Sequence, residues 1–148
     1  MIVEFEKKIQ PPKTPCVSLH SLLLYSVMKS DHSCRALVVT CIDFRFVSTV
    51  RDYLTNKGLR DNYDLITFPG ASLNINSIEE NIDLSFKLHS PSEIYIFDHE
   101  DCGAYGTDNS QKRHQQNLKA AKQTINSKRS SVEVKIFMAT HKEIKEIK

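Results

Sequence analysis

Apolar positions in this chain fall into short continuous runs separated by stretches of helical spacing. Ala36 to Thr40, centred on Leu37-Val38-Val39, predicts a buried strand. A second strand is expected over Asp64–Phe68, stopped by Pro69-Gly70, and a third over Glu93–Phe97. A fourth is expected over Val132–Met138. Its strict alternation of Val132, Val134, Ile136 and Met138 suggests an edge strand with one wet face. Between the strands, Val47, Val50 and Leu54 recur at helical spacing, and Gly58 suits the cap of that helix. Ser77 and Glu80 have capping-box spacing at the start of a helix whose inner face carries Ile78, Ile82 and Phe86. A long polar helix is expected over Asn109–Asn126, with Leu118, Ala121 and Ile125 on one side. Near the start, an amphipathic helix is expected over Ser18–Met28. Pro11, Pro12 and Pro15 make residues 1–16 an extended arm. The tail from His141 is charged and expected to be weakly ordered.

Strands that alternate with helices predict an α/β fold: a mostly parallel sheet of four to five strands flanked by helices. One domain is expected over residues 1–148. In such sheets ligands bind beyond the carboxyl ends of the strands, where strand order reverses. If the first and third strands are neighbours, that place lies between them.

Composition adds exclusions. The chain has 148 residues, 40% apolar and 26% charged, and a formal net charge of +2. That charge exerts no strong pull on nucleic acid or on a membrane surface. The run Leu22-Leu23-Leu24-Tyr25 is too short to span a bilayer. Four cysteines occur, at 16, 34, 41 and 102. A chain with an adequate core does not need disulfide staples, so a reducing cytoplasm is expected. In that setting Cys with His suggests metal or catalysis.

The chemistry concentrates at two strand ends. Cys41, followed by Asp43-Phe44-Arg45, lies just past the first strand; His99-Glu100-Asp101-Cys102-Gly103 follows the third. Zinc takes thiolate and imidazole ligands, and catalytic sites keep three protein ligands and one open position. Cys41, His99 and Cys102 supply three. Gly103 permits a tight turn, and its N–H is expected to donate to the Cys102 thiolate. Two thiolates neutralise the ion, so its water needs help to ionise. Asp43 can accept that water's hydrogen bond, or displace it as a fourth ligand, while Arg45 can restrain Asp43 through a bidentate pair. Cys16 and Cys34 read as small buried hydrophobes. Asp98, Glu100 and Asp101 read as solvated loop charges, with a bond to His99 as the other possibility. His114, four residues before Leu118, reads as a packed residue rather than a proton shuttle. His20, His32, His89 and His141 carry no signal above surface.

Cys41-x-Asp43-x-Arg45 together with His99-x-x-Cys102-Gly103 resembles the β-class carbonic anhydrases, across roughly residues 35 to 140. The resemblance implies a parallel α/β fold and zinc (Zn2+) on Cys41, His99 and Cys102. It implies that Asp43 and Arg45 orient a zinc-bound hydroxide, with Asp43 as fourth ligand in a closed form. The implied reaction is reversible hydration of carbon dioxide to bicarbonate, in a homodimer or higher homo-oligomer. The turn after the second strand, often Arg-Asn-Ala-Gly-Asn in the family, reads Phe68-Pro69-Gly70-Ala71-Ser72 here. Phe44, Gly70, Ala71 and Gly103 are the expected pocket residues. Three other functions fit the same residues less well. They are hydrolysis of carbon disulfide or carbonyl sulfide, a zinc-binding module without turnover, and a thiol redox protein.

Overall fold

The computed structural model describes residues 32–148. The arm at 1–16, the helix at Ser18–Met28, Cys16 and His20 lie outside the described residues.

The described chain runs through strands β1 (Ala36–Thr40), β2 (Tyr63–Thr67), β3 (Glu93–His99), β4 (Glu133–Ala139) and β5 (Ile144–Glu146). Helices α1 (Val47–Asn56), α2 (Glu79–His89) and α3 (Gln111–Lys128) connect the first four. The sheet order is β2-β1-β3-β4-β5. β1 to β4 are parallel and β5 is antiparallel to β4. This is the mostly parallel α/β sheet expected, with five strands.

Period-two alternation sorts the sheet residues to two cores. Leu37, Val39, Ile94, Ile96 and Ile136 face α2 and α3, which contribute Ile82, Leu118, Ala121 and Ile125. Ala36, Val38, Tyr95, Phe97 and Phe137 face the other way, onto Val50 and Leu54 of α1 and onto Leu59. β1 is buried on both faces, which is why it reads as an unbroken apolar run.

Gly58 ends α1 as expected. Its φ of +72° lets Leu59 N–H reach the Leu54 carbonyl and Gly58 N–H reach that of Thr55. Leu59 and Leu54 are then buried in the same cluster. A Cβ at Gly58 would meet no atom within 4 Å, so the cost of adding one is purely conformational. Gly58→Ala is expected to lower the unfolding free energy by about 1 kcal/mol, read from the urea midpoint at unchanged slope.

Three local expectations need correction. α2 does not start in a capping box at Ser77 and Glu80. A 3-10 segment, Ala71–Ile78, runs directly into it, and Ile78 at the N-cap makes no side-chain bond. β4 is not the edge. Its supposed wet face includes Phe137, stacked on Phe97 with ring centroids 4.7 Å apart. It also includes Lys135, which pairs with Glu93 and Glu133 and lies over the Tyr95 ring. The charged tail supplies the edge strand instead. Thr140 builds the reversal: its N–H donates to the Glu143 carbonyl and its Oγ1 accepts from the Lys142 and Glu143 N–H groups. Alternating charge over Lys142–Glu146 suits an exposed edge, where it discourages pairing with other chains.

Candidate metal centre

β1 leads to β2 on one side and, later, the chain returns to β3 on the other side of β1. Strand order therefore reverses between β1 and β3. Thr40 pairs with Phe97, so Cys41 and His99 emerge at neighbouring carboxyl ends. β3 runs two residues further than expected, which makes His99 its last residue rather than part of the loop. Asp101, at φ +54°, turns the chain so that Cys102 comes back to the same place.

The three ligand atoms of Cys41, His99 and Cys102 lie within 4.8 Å of one another, and all three residues are buried. The two sulfurs are 3.8 Å apart. His99 Nδ1 is 2.8 Å from the Glu100 carbonyl, which can only accept, so the ring proton sits on Nδ1. The Nε2 lone pair faces the sulfurs. That nitrogen is buried without a hydrogen-bond partner. A buried, unpaired nitrogen beside two thiols is costly unless a cation shares its lone pair. Phe46 is buried beneath the His99 ring, with centroids 4.3 Å apart, and supports its orientation.

The electrostatics agree. Its pairing with Cys102, against the opposing effect of burial, and then the nearness of the His99 ring and the Gly70 N–H, hold the Cys41 thiol down to about 3. The same pairing, then burial, pushes the Cys102 thiol up. Two thiolates this close need positive charge between them, which a zinc ion would provide. The donor set therefore fits zinc. The Gly70 N–H lies 3.4 Å from Cys41 Sγ. A Cβ on Gly70 would come within 3.0 Å of the Ala104 Cβ, and its φ is +73°, so glycine is required there. The bond expected from the Gly103 N–H to Cys102 is not made: the Cys102 side chain accepts no hydrogen bond from the turn Gly103–Tyr105 that it precedes.

Asp43 caps the 3-10 turn Phe44–Phe46 through Arg45 N–H at 3.0 Å. The Arg45 guanidinium grips both oxygens of the same carboxylate, at 2.7 Å on Oδ2 and 3.0 Å on Oδ1. This grip holds the Asp43 carboxyl down to about 2. Asp43 Oδ2 lies 3.9 Å from His99 Nε2. It thus stands at the edge of the ligand cluster with Arg45 engaged. Arg45 also bonds the Asp101 carboxylate and carbonyl, both at 2.9 Å. Asp101 is the solvated loop charge expected, and it also joins the Asp43 arm to the loop that carries Cys102.

Asp98 was read in the same way and is a buried residue, 2% exposed. It accepts from Ser72 N–H and Oγ, from Tyr105 OH and from His114 Nδ1. His114 is fully buried, with Nε2 on Asn109 Oδ1, which is the packed role expected of it. The missed signal was periodicity. Ile94, Ile96 and Asp98 share one face of β3, the same kind of reading that placed His114 on the α3 stripe of Leu118.

A cleft of about 380 Å³ opens beside the cluster, lined by Ile42, Asp43, Phe44, Pro69, Gly103 and Ala104 as well as the two cysteines. Phe44 is 85% exposed at its rim. Ala71, expected in the pocket, is instead buried in the core with Ile75 and Ile78. Gly70 contributes its N–H to Cys41 and is not part of the cleft lining.

The fold and the cluster define an α/β protein of carbonic-anhydrase type with a candidate metal centre. The family described as "putative carbonic anhydrase" matches residues 31–148, and the chain belongs to it. The chain is 32% identical over 87 residues to an uncharacterized protein of Rickettsia conorii, covering 53% of this chain and 47% of that one. It is 31% identical over 87 residues to an uncharacterized protein of Rickettsia bellii, covering 53% of each. The matches thus span about half the length of these curated relatives. In structure the chain is similar to a carbonic anhydrase from Glaciozyma antarctica. The TM-score is 0.57 at 12% identity, covering 90% of this chain and 97% of that one. That likeness establishes the shared fold.

Proposed function

We propose that this chain catalyses the reversible hydration of carbon dioxide to bicarbonate, with zinc held by Cys41, His99 and Cys102. The observation that carries the reading is the unpartnered His99 Nε2, which converges with two sulfurs beside a carboxylate oxygen held 3.9 Å away. When bound, zinc supplies a Lewis acid that makes water acidic enough to act near neutral pH. Asp43 accepts the hydrogen bond of the attacking water and aims its lone pair into the cleft. Arg45 fixes Asp43 in that orientation and keeps the carboxylate from closing on the cluster. Release by Arg45 would free Asp43, 3.9 Å from His99 Nε2, to join Cys41, His99 and Cys102 in holding the ion. Ile42, Phe44, Pro69 and Ala104 give the cleft an apolar wall suited to a small linear molecule. The open mouth lets bicarbonate leave and the proton pass to buffer.

On this reading the chain works in a reducing cytoplasm, as a homodimer. No described helix is long and apolar enough to cross a membrane. Among the described residues β2 is an edge strand, and Ile42, Val47 and Leu65 line a groove beside it that gives pairing an apolar surface.

Stopped-flow hydration of carbon dioxide by the zinc-loaded protein tests the reading. Activity above the buffer rate is expected. A zinc-loaded, folded chain no faster than buffer overturns it. Arg45→Ala is expected to keep zinc but lose about 10- to 100-fold in kcat, as when a partner that orients a metal site is removed. Normal turnover in that variant would remove the Asp43–Arg45 pair from the mechanism.

A further inference from the structure

A second group of ligand-type side chains lies at the opposite end of β1 from Cys41. Cys34 sits two residues before that strand, Asp64 is the second residue of β2, and His89 is the last residue of α2. Their ligand atoms all lie within 4.8 Å of one another, and all three residues are half-buried. Neither Cys34 nor His89 carried a signal in the sequence, because the three residues come from three elements with no shared motif.

The arrangement is held from several sides. His89 Nδ1 is 2.9 Å from both oxygens of Asp64. Ser85, one turn earlier on α2, donates to Asp64 Oδ2 at 2.6 Å. The Cys34 N–H donates to the His89 carbonyl at 3.1 Å, which clamps the main chains of two of the three residues together. The Cys34 thiol rests on the Ala36 carbonyl at 3.3 Å. Such supporting bonds orient metal ligands before the ion arrives.

The geometry points to a second divalent-metal site at Cys34, Asp64 and His89, selective for zinc or a similar borderline ion. Zinc bonds of about 2.0–2.3 Å arranged tetrahedrally place ligand atoms roughly 3.3–3.8 Å apart. The present separations, from 2.9 Å to at most 4.8 Å, bracket that spacing. One thiolate, one imidazole and one carboxylate favour zinc or cobalt over magnesium or calcium, which take oxygen ligands alone. Partial exposure leaves the fourth position to water. Binding sends the Cys34 thiol proton to solvent and displaces the proton that His89 Nδ1 shares with Asp64, with a proton taken up at Nε2 so that the neutral ring changes tautomer. The ion then ties the entry of β1, the start of β2 and the end of α2 into one unit. The site stands whether or not the Cys41 centre turns over carbon dioxide.

Metal titration of the full chain, in competition with a chromophoric chelator, tests it. Two equivalents of zinc or cobalt(II) are expected for the reduced wild-type protein. Cys34→Ser and His89→Ala are each expected to bind one. Cys102→Ser is expected to keep one equivalent, with a thiolate-to-cobalt charge-transfer band from Cys34. A wild-type chain that saturates at a single equivalent overturns the site, as does a folded Cys34→Ser or His89→Ala variant that still binds two. A measurement on the wild type needs no variant. Once the Cys41 centre is filled, further zinc is expected to slow alkylation of Cys34 about tenfold, read on the Cys34 peptide by mass spectrometry. An unchanged Cys34 rate counts against the site.

Discussion

Cys102→Ser is expected to lose one zinc equivalent and all hydration activity together. Serine is isosteric enough to occupy the same buried position, but its hydroxyl stays protonated where a thiol ionises, so the change removes a ligand and a negative charge at once. Structural zinc sites gain about 10–16 kcal/mol from binding. Shared among four ligands, one ligand accounts for about 2.5–4 kcal/mol, or roughly a 10²- to 10³-fold loss of affinity. Zinc retained after dialysis against a chelator measures the effect. The comparison with Arg45→Ala is what makes the result informative. One variant should lose metal and activity, the other activity alone. A Cys102→Ser protein that keeps its full zinc content and turnover would place the centre elsewhere.

The two halves of this centre were legible because each rides on an element with a strong pattern. Leu37-Val38-Val39 and Ile94-Tyr95-Ile96-Phe97 are continuous apolar runs, as strands buried on both faces must be. Their central place in the sheet follows from that burial. Parallel pairing then brings Cys41 and His99 to the same end. The Asp43–Arg45 pair was also legible, because a single residue separates its members and both lie on one short turn.

What stayed hidden depends on tertiary partners. β5 has three residues, two of them charged, and only Thr140 and the exposed edge of β4 make it a strand. Asp101 is the solvated loop acid expected, but its bond to Arg45, 56 residues earlier, was not legible. Cys34, Asp64 and His89 come together only through the order in which β1, β2 and α2 pack. Asp98 is the instructive miss. Its charge suggested water, whereas its position in the strand alternation placed it on the inward face with Ile94 and Ile96. Periodicity was the better guide, because a strand cannot turn one side chain outward without shifting its neighbours.

Asp98→Ala is accordingly expected to be among the most destabilising single changes in the chain, at about 3–5 kcal/mol. Asp98 and His114 are paired at 3.0 Å with almost no exposure on either side. Removing the carboxylate leaves His114 Nδ1, Tyr105 OH and the Ser72 N–H without their acceptor in a place water does not reach. His114→Ala should cost less, because Asp98 keeps the Ser72 and Tyr105 donors. The two changes should also be non-additive: once Asp98 is gone, losing His114 should add little. The network bears on the metal centre through the chain. Ser72 follows the turn whose Gly70 N–H reaches Cys41, and Tyr105 follows the turn that carries Cys102. Asp98 thus pins both loops from beneath, and its loss should weaken zinc retention as well as the fold. Urea unfolding of the two single variants and the double variant measures the coupling. An Asp98→Ala protein within about 1 kcal/mol of wild type would mean that the pocket admits water and that the buried network does not hold the loops.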